Sequence, residues 1–318
     1  MTDTDFVRRF VLEQQAVRGQ LVRLGPAWTA LREHTDYPPA VRDLLGEAIA
    51  ATVLLAATLK FEGTLTLQLQ GNGAVRMLVA QCTQDFQLRA VARFDAERVA
   101  EAAATAAVAA PATVVPFAAL AGEGYISVTI EANNSMAPYQ GIVSISGESL
   151  AACLDGYFAN SEQLPTRVRL AANTLAAGGV LLQRLSQADS GLESDAPSSA
   201  ARDTQALAAW QEAVAALDSI AADELLLRDA EAVMQRCAAG FDVRVFASQP
   251  VRFQCRCAPQ RVANMLRSLG ESEVRDVLRA EGAVTVTCEF CQRPYRFDAI
   301  DVEQLFINAA ASGVDTVN

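Results

Sequence analysis

The sequence predicts an α+β protein with an N-terminal core of mixed sheet and helix, a helical linker, and a small C-terminal unit organised by cysteines. Three observations predict it. Alternating apolar and polar runs recur through residues 1–187 and are interrupted by one long apolar helix. Composition then turns serine-rich over residues 186–203. Beyond residue 250, four of the chain's seven cysteines crowd between Cys255 and Cys291 in two tight pairs. The expected divisions are 1–187 for the core, 188–250 for a flexible and helical linker, and 251–318 for the cysteine unit.

Taken in order, residues 5–24 alternate well enough to read as strands. "YPPAVRDLLGEAIAATVLLAATLK" reads as a long helix opened by Pro38-Pro39. "GTLTLQLQGNGAVRMLVAQC" holds two alternating runs around Gly71-Asn72-Gly73, a hairpin signal, and "FQLRAVARF" continues the sheet. The alanine-rich run 99–112 fits either a helix or a connector. "GYISVTIEA" and "GIVSIS" read as strands, residues 148–163 as a helix and "PTRVRLAA" as a strand.

The stretch 186–203 holds five serines and a single large apolar residue, Leu192, too little to bury, and reads as a flexible link. Two helices follow. The first carries an expected apolar stripe of Leu207, Trp210, Val214 and Leu217, and the second, about Glu224 to Cys237, carries Leu226, Val233 and Met234 inward. "VRFQCRC" then reads as a strand ending in the first cysteine pair. "PQRVANMLRSLG" and "ESEVRDVLRAEG" read as short helices stopped by Gly270 and Gly282, and "AVTVTCEFCQRPYRF" as a hairpin with the second pair at its turn. A last helix starts at "DAIDVEQLF" with Asp298 as its N-cap.

Composition narrows the function. A net charge of −11 and a pI near 4.7 argue against broad nucleic-acid binding and against attachment to anionic lipid. The most apolar stretch, residues 44–59, is sixteen residues long and contains Gly46 and Glu47, short for a membrane span. "MTDTDFVRRF" shows no basic segment followed by an apolar run, so the expected compartment is the cytoplasm. In a reducing compartment, paired cysteines point to metal or redox chemistry rather than a permanent disulfide. No nucleophile elbow, phosphate loop or dinucleotide fingerprint is present, so no enzyme activity is expected.

The four cysteines admit a metal, a pair of disulfides, or both in turn. Zinc takes four tetrahedral ligands and thiolates suit it. The chain's one histidine, His34, lies far upstream beside Glu33 and Asp36 and reads as a solvated helix residue. The expected ligand set is therefore Cys255, Cys257, Cys288 and Cys291, holding one Zn2+ in the reduced state. A one-residue gap in Cys-x-Cys also places two sulfurs close enough to bridge. The pattern fits a site of two states, zinc-bound thiolates or the disulfides Cys255–Cys257 and Cys288–Cys291. Structural zinc supplies on the order of 10–16 kcal/mol of apparent binding energy. A disulfide across three or four residues recovers only ~1.6 kcal/mol of loop-closure entropy. Oxidation is therefore expected to unfold the unit rather than lock it. Cys82, Cys153 and Cys237, isolated in sequence, are expected to be small buried residues with no role.

Three segments together resemble a known family. "LLGEAIAATVLLAATLKFEGTLTLQLQGNG", "GYFANSEQLPTR" and "VRFQCRC" with "VTCEFCQRPYRF" resemble the signatures of the thirty-three-kilodalton heat-shock chaperones, the redox-regulated bacterial holdases. The resemblance implies an α+β core, a metastable linker and a C-terminal zinc domain whose ligands are the four cysteines named above. It also implies a stress response. The reduced, zinc-bound protein would be an inactive monomer. The oxidised protein would lose zinc, unfold its zinc domain and linker, form a homodimer and hold unfolded client proteins without ATP. The competing reading is a zinc-ribbon nucleic-acid binder. Residues 251–298 carry eight arginines against six acids, a net of only +2, which is poor for phosphate binding. A disulfide oxidoreductase would want its Cys-x-x-Cys opening a helix, whereas this one falls in a hairpin turn.

Overall fold

A computed structural model of the chain describes residues 5–13, 15–33, 35–109, 114–132, 138–185 and 199–312. His34 and the serine-rich residues 186–198 lie outside them. The chain divides into two compact units, residues 1–254 and 255–318.

In the first unit, Phe6–Leu12 (β1) and Val17–Leu24 (β2) form a hairpin, followed by Pro26–Arg32 (α1) and Pro39–Thr58 (α2). The strands Gly63–Gly71 (β3), Val75–Thr83 (β4) and Gln87–Phe94 (β5) form a meander that turns at Asn72–Gly73. Ala96–Ala109 (α3) makes the described part of the alanine-rich run, 99–109, helical, while 110–112 lie outside the described residues, and Phe117–Ala121 (α4) leads into Gly124–Ala132 (β6) and Tyr139–Ser144 (β7). Leu150–Tyr157 (α5) is capped by Ser149, whose Oγ accepts from the Ala152 N–H, and runs on as a π-helical turn over Phe158–Glu162. Thr166–Ala172 (β8) and Ala177–Arg184 (β9) follow. Ser199–Asp218 (α6) begins inside the stretch 186–203 expected to be a flexible link, so the last five residues of that stretch are helical instead, and Ala222–Leu227 (α7), Ala230–Cys237 (α8), Val243–Pro250 (β10) and Arg252–Phe253 (β11) follow.

The strands form two sheets, ordered β10-β1-β2-β9-β8 and β11-β5-β4-β3-β6-β7. Helix α2 lies between them. Thirteen of its twenty residues are buried, so its apolar residues run around the whole helix rather than along one stripe. Both sheets contribute to the core around it, Val7, Val22, Val168 and Leu181 from the five-stranded sheet and Leu65, Leu67, Leu78 and Leu88 from the six-stranded one. Gly46 sits where the helix meets the five-stranded sheet. A Cβ there would lie 2.5 Å from the Ala172 Cβ, so this close approach admits only glycine. Cys82, Cys153 and Cys237 are all buried, and the Cys237 thiol is pushed up to about 12 by that burial, which leaves it protonated and unreactive.

Glu47, on the same helix, is placed against solvation. Burial pushes its carboxyl up to about 7, Asp43 one turn earlier adds repulsion, and Arg169 only partly offsets both. A carboxyl whose folded value lies above its unfolded one stabilises the fold at low pH and loses that contribution as pH rises towards 7. The expected result is that Glu47→Gln stabilises the first unit at pH 8 by about 2 kcal/mol and changes it little at pH 5. Denaturant midpoints at the two pH values measure it, and equal shifts at both would contradict the assignment.

The outer face of the five-stranded sheet is covered by α6, α7 and α8. Ala213, Leu217, Ile220, Leu225, Leu226, Val233, Met234 and Cys237 pack there on Phe6, Phe10, Val17, Leu21, Val180 and Leu182. The face of α6 that is buried differs from the expected stripe. Ala209, Ala213, Leu217 and Ile220 point inward, Leu207 is 43 % exposed, and Trp210 and Val214 are half-buried. The small alanines let the helix lie close to the sheet, which decides the rotation. The second expected helix is two, α7 and α8, with Asp229 capping α8 through its carboxylate. Arginines of the sheet grip the helix ends. Arg167 makes two 2.9 Å hydrogen bonds to the Asp218 carboxylate and a third, of 3.0 Å, to Asp155. Arg169 donates to the Ile220 carbonyl at 3.0 Å, and Arg23 to the Leu225 carbonyl at 2.9 Å. Cations at helix C-termini also match the sign of the helix dipole.

Candidate metal centre

The second unit is small. Pro259–Leu269 (α9), Glu271–Glu281 (α10), Val284–Thr287 (β12), Pro294–Phe297 (β13) and Ala299–Ser312 (α11) surround a core of Ala263, Leu266, Val274, Val284, Val302 and Leu305. Gly282 ends α10 in the left-handed region at φ 75°, as a C-capping glycine does. The Asp298 carboxylate accepts from the Ile300 and Asp301 N–H groups, the N-cap expected for the last helix.

β12 and β13 pair antiparallel from Val284↔Phe297 to Thr287↔Pro294, so the second cysteine pair sits in the connecting turn. That turn is closed by the Gln292 N–H donating to the Cys288 carbonyl at 2.8 Å, with Gln292 itself at φ 53°, and by the Cys288 N–H donating to the Arg293 carbonyl at 3.0 Å. Both side chains are thereby turned to the same side as Cys255 and Cys257. The strand expected before the first pair is short, Arg252–Phe253, and belongs to the first unit, where it pairs parallel with Gln87 and Leu88.

The four sulfurs, expected from their spacing to meet, do meet. All lie within 4.8 Å of one another, with Cys255 Sγ 3.7 Å from Cys288 Sγ and Cys257 Sγ 3.4 Å from Cys291 Sγ. Four sulfurs bound tetrahedrally to zinc at about 2.3 Å stand ~3.8 Å apart. The donor set therefore fits such an ion in number, type and spacing. All four residues are half-buried.

The thiols differ in character. Burial raises Cys257 first, but a hydrogen bond from the Tyr295 hydroxyl and further ones within the cysteine cluster outweigh it and hold the thiol at about 7. Burial pushes Cys291 up to about 12 and raises Cys255 as well. The Tyr295 hydroxyl donates to Cys257 Sγ at 3.0 Å. Arg293 stands near Tyr295, Cys257 and Cys291, which together raise its own value. Sequence reasoning missed Tyr295. The available signal was its position four residues after Cys291, on the strand that leaves the cysteine turn.

The two units thus define a two-part protein, a pair of sheets wrapped on a central helix joined to a small unit with a four-thiol, metal-competent site. The sequence matches the family model described as Hsp33 protein over residues 5–298. It is 39 % identical to the 33 kDa chaperonin of Azotobacter vinelandii, over 96 % of each chain, and 39 % identical to that of Pseudomonas aeruginosa, over 98 % of each. The crystal structure of the 33 kDa chaperonin from Thermotoga maritima has the same fold, with a TM-score of 0.75 over 97 % of this chain and 99 % of that one, at 21 % identity. The chain belongs to the Hsp33 family of chaperones.

Proposed function

We propose that the protein is a redox-regulated holdase. Reduced, it binds one Zn2+ through Cys255, Cys257, Cys288 and Cys291 and is an inactive monomer. Under oxidative stress it forms the Cys255–Cys257 and Cys288–Cys291 disulfides, releases the metal, dimerises and binds unfolding proteins in the cytoplasm without ATP. Its working parts are a core over 1–187, a linker over 188–250 and a redox domain over 251–318.

The observation that carries this reading is the convergence of four sulfurs within 4.8 Å in a unit with so small a core. When bound, zinc would supply cross-links between distant parts of the chain. Oxidation removes them in a balanced step. Two thiolates of a pair, one hydrogen peroxide and two protons from solvent give one disulfide and two waters, so two peroxides and four protons convert the whole site and leave the metal as free Zn2+. Once the unit opens, sequence separation governs pairing. Cys257 is two residues from Cys255 and thirty-one from Cys288, and the shorter loop closes more readily. The covered outer face of the five-stranded sheet supports a client surface held in reserve.

The test joins three measurements on the full chain. Reduced protein is expected to carry one zinc per chain, and the double variant Cys288→Ser, Cys291→Ser none. Peroxide is expected to release zinc and to confer suppression of client aggregation. Peptide mapping is expected to find the two local disulfides, and a majority of cross-pairs such as Cys257–Cys288 would refute the pairing. Retention of zinc by the double variant would refute the ligand set. Salt-sensitive retention of nucleic acid in a filter assay, without holdase activity, would favour the zinc-ribbon alternative.

A further inference from the structure

The hydrogen bond from Tyr295 to Cys257 has a consequence for the rate of the switch. Tyr295 lies on β13, paired with Val286, so its backbone is fixed by the hairpin that also carries Cys288 and Cys291. Its ring is buried, with 8 % of the residue exposed, so the hydroxyl has little freedom to turn away. It meets Cys257 Sγ at 3.0 Å, short for an O–H···S contact. Cys257 belongs to the other cysteine pair, so the bond ties the two halves of the site together.

We propose that Tyr295 is a positioning residue that restrains the Cys257 sulfur. Its hydroxyl draws electron density from the lone pair that would attack an oxidant and holds the sulfur facing its three partners. Partners outside the ligand set orient and tune metal-binding groups in this way, and losing one commonly weakens binding by about 10–100-fold. A thiolate's nucleophilicity follows its electron density as well as its abundance. The site would therefore be slower to oxidise than four bare thiolates and would answer only to a sustained oxidant. The inference rests on the zinc-bound, oxidant-sensing reading above.

Tyr295→Phe tests it, because the ring keeps its packing and only the donor is removed. The zinc-saturated, reduced, full-length protein is treated with limiting iodoacetamide, and the four cysteines are quantified by peptide mapping. Labelling of Cys257 is expected to rise about five- to tenfold, the worth of one such hydrogen bond, while Cys255 changes much less. A ring-fluorinated tyrosine at position 295 is nearly isosteric and a stronger donor, and is expected to slow the labelling of Cys257 below that of the natural protein. Zinc release under peroxide is expected to follow the same order, Phe fastest and fluorotyrosine slowest. An equal rise at all four cysteines in Tyr295→Phe would show general loosening and overturn the assignment, as would an unchanged rate in the fluorotyrosine protein. The labelling pattern is independent of the holdase assay. Selective labelling in a protein without holdase activity would uphold the role of Tyr295 and remove the chaperone reading instead.

Discussion

Stripping zinc from the reduced protein is expected to unfold residues 255–312 and to leave both sheets of the first unit in place. The second unit has few means of its own. Among the described residues its one apolar cluster holds six buried side chains, and its two strands are four residues long, a hairpin too short to stand alone. Helices α9 and α10 have eleven residues each, below the length at which isolated helices hold in water. Its ion pairs, such as Arg275 with Glu271 and Glu303, are solvated and add little. Against that, four thiolates on one zinc contribute on the order of 10–16 kcal/mol and close loops of more than thirty residues. On the zinc-bound reading, removing the ion would take away the folded form's largest single support. The first unit keeps α2 and its all-round packing, which involves none of the four clustered cysteines. Hydrogen exchange under reducing conditions, with and without chelator, measures this. The amides of β12 and β13 are expected to lose protection by orders of magnitude while those of β2, β3 and β9 keep theirs. Persisting protection in β12 and β13 would show that the six-residue core suffices without the metal.

The cysteine site was legible because its signal is local. Two pairs of thiols in a short segment can be read without knowing the fold, and the hairpin turn between "VTVT" and "PYRF" could be read from alternation. What escaped the sequence depends on tertiary surroundings. β9 is buried on both faces, by α2 on one side and α7 on the other, so "AGGVLLQR" does not alternate and gives no strand signal. A Cβ at Gly178 would stand 3.4 Å from Leu226 and one at Gly179 3.1 Å from Leu54, which shows the two layers pressing on adjacent residues. β10 fails to signal for the opposite reason. It is an exposed edge strand with Val245 and Phe246 each 39 % exposed, and its place is fixed by pairing with β1 rather than by burial. The buried face of α6 is not legible from side-chain size, because Ala209 and Ala213 lie inward while the larger Leu207 is exposed. Close packing on a flat sheet favours alanine, and only the partner surface reveals that. Tyr295 needed the same knowledge, since its role exists only once β13 folds back on the first cysteine pair.

Val233→Asp is expected to free α6, α7 and α8 from the sheet without any oxidant. Val233 is fully buried on α8, in the apolar cluster between the three helices and the sheet that also holds Phe10, Leu21 and Met234. Aspartate is too short to carry its carboxylate out to water, and an unpaired charge in such a layer costs several kcal/mol beyond the lost burial of valine. The helices have no reserve to absorb it. α7 and α8 have six and eight residues and owe their form to the sheet. The sheet itself keeps α2 on its other face, so it need not follow. Release would uncover Phe6, Phe10, Leu12, Val17, Leu21, Val180 and Leu182 as one apolar surface, together with Leu217, Leu225 and Leu226 on the freed segment. The reduced variant is therefore expected to keep its zinc, to exchange rapidly over residues 204–238, and to suppress client aggregation before any peroxide is added. In the natural protein the same segment is expected to exchange rapidly only after oxidation. Protection that survives the substitution would contradict the packing argument. Full holdase activity in oxidised natural protein, with fast exchange confined to 250–298 and residues 204–238 still protected, would show that release of these helices is not the switch.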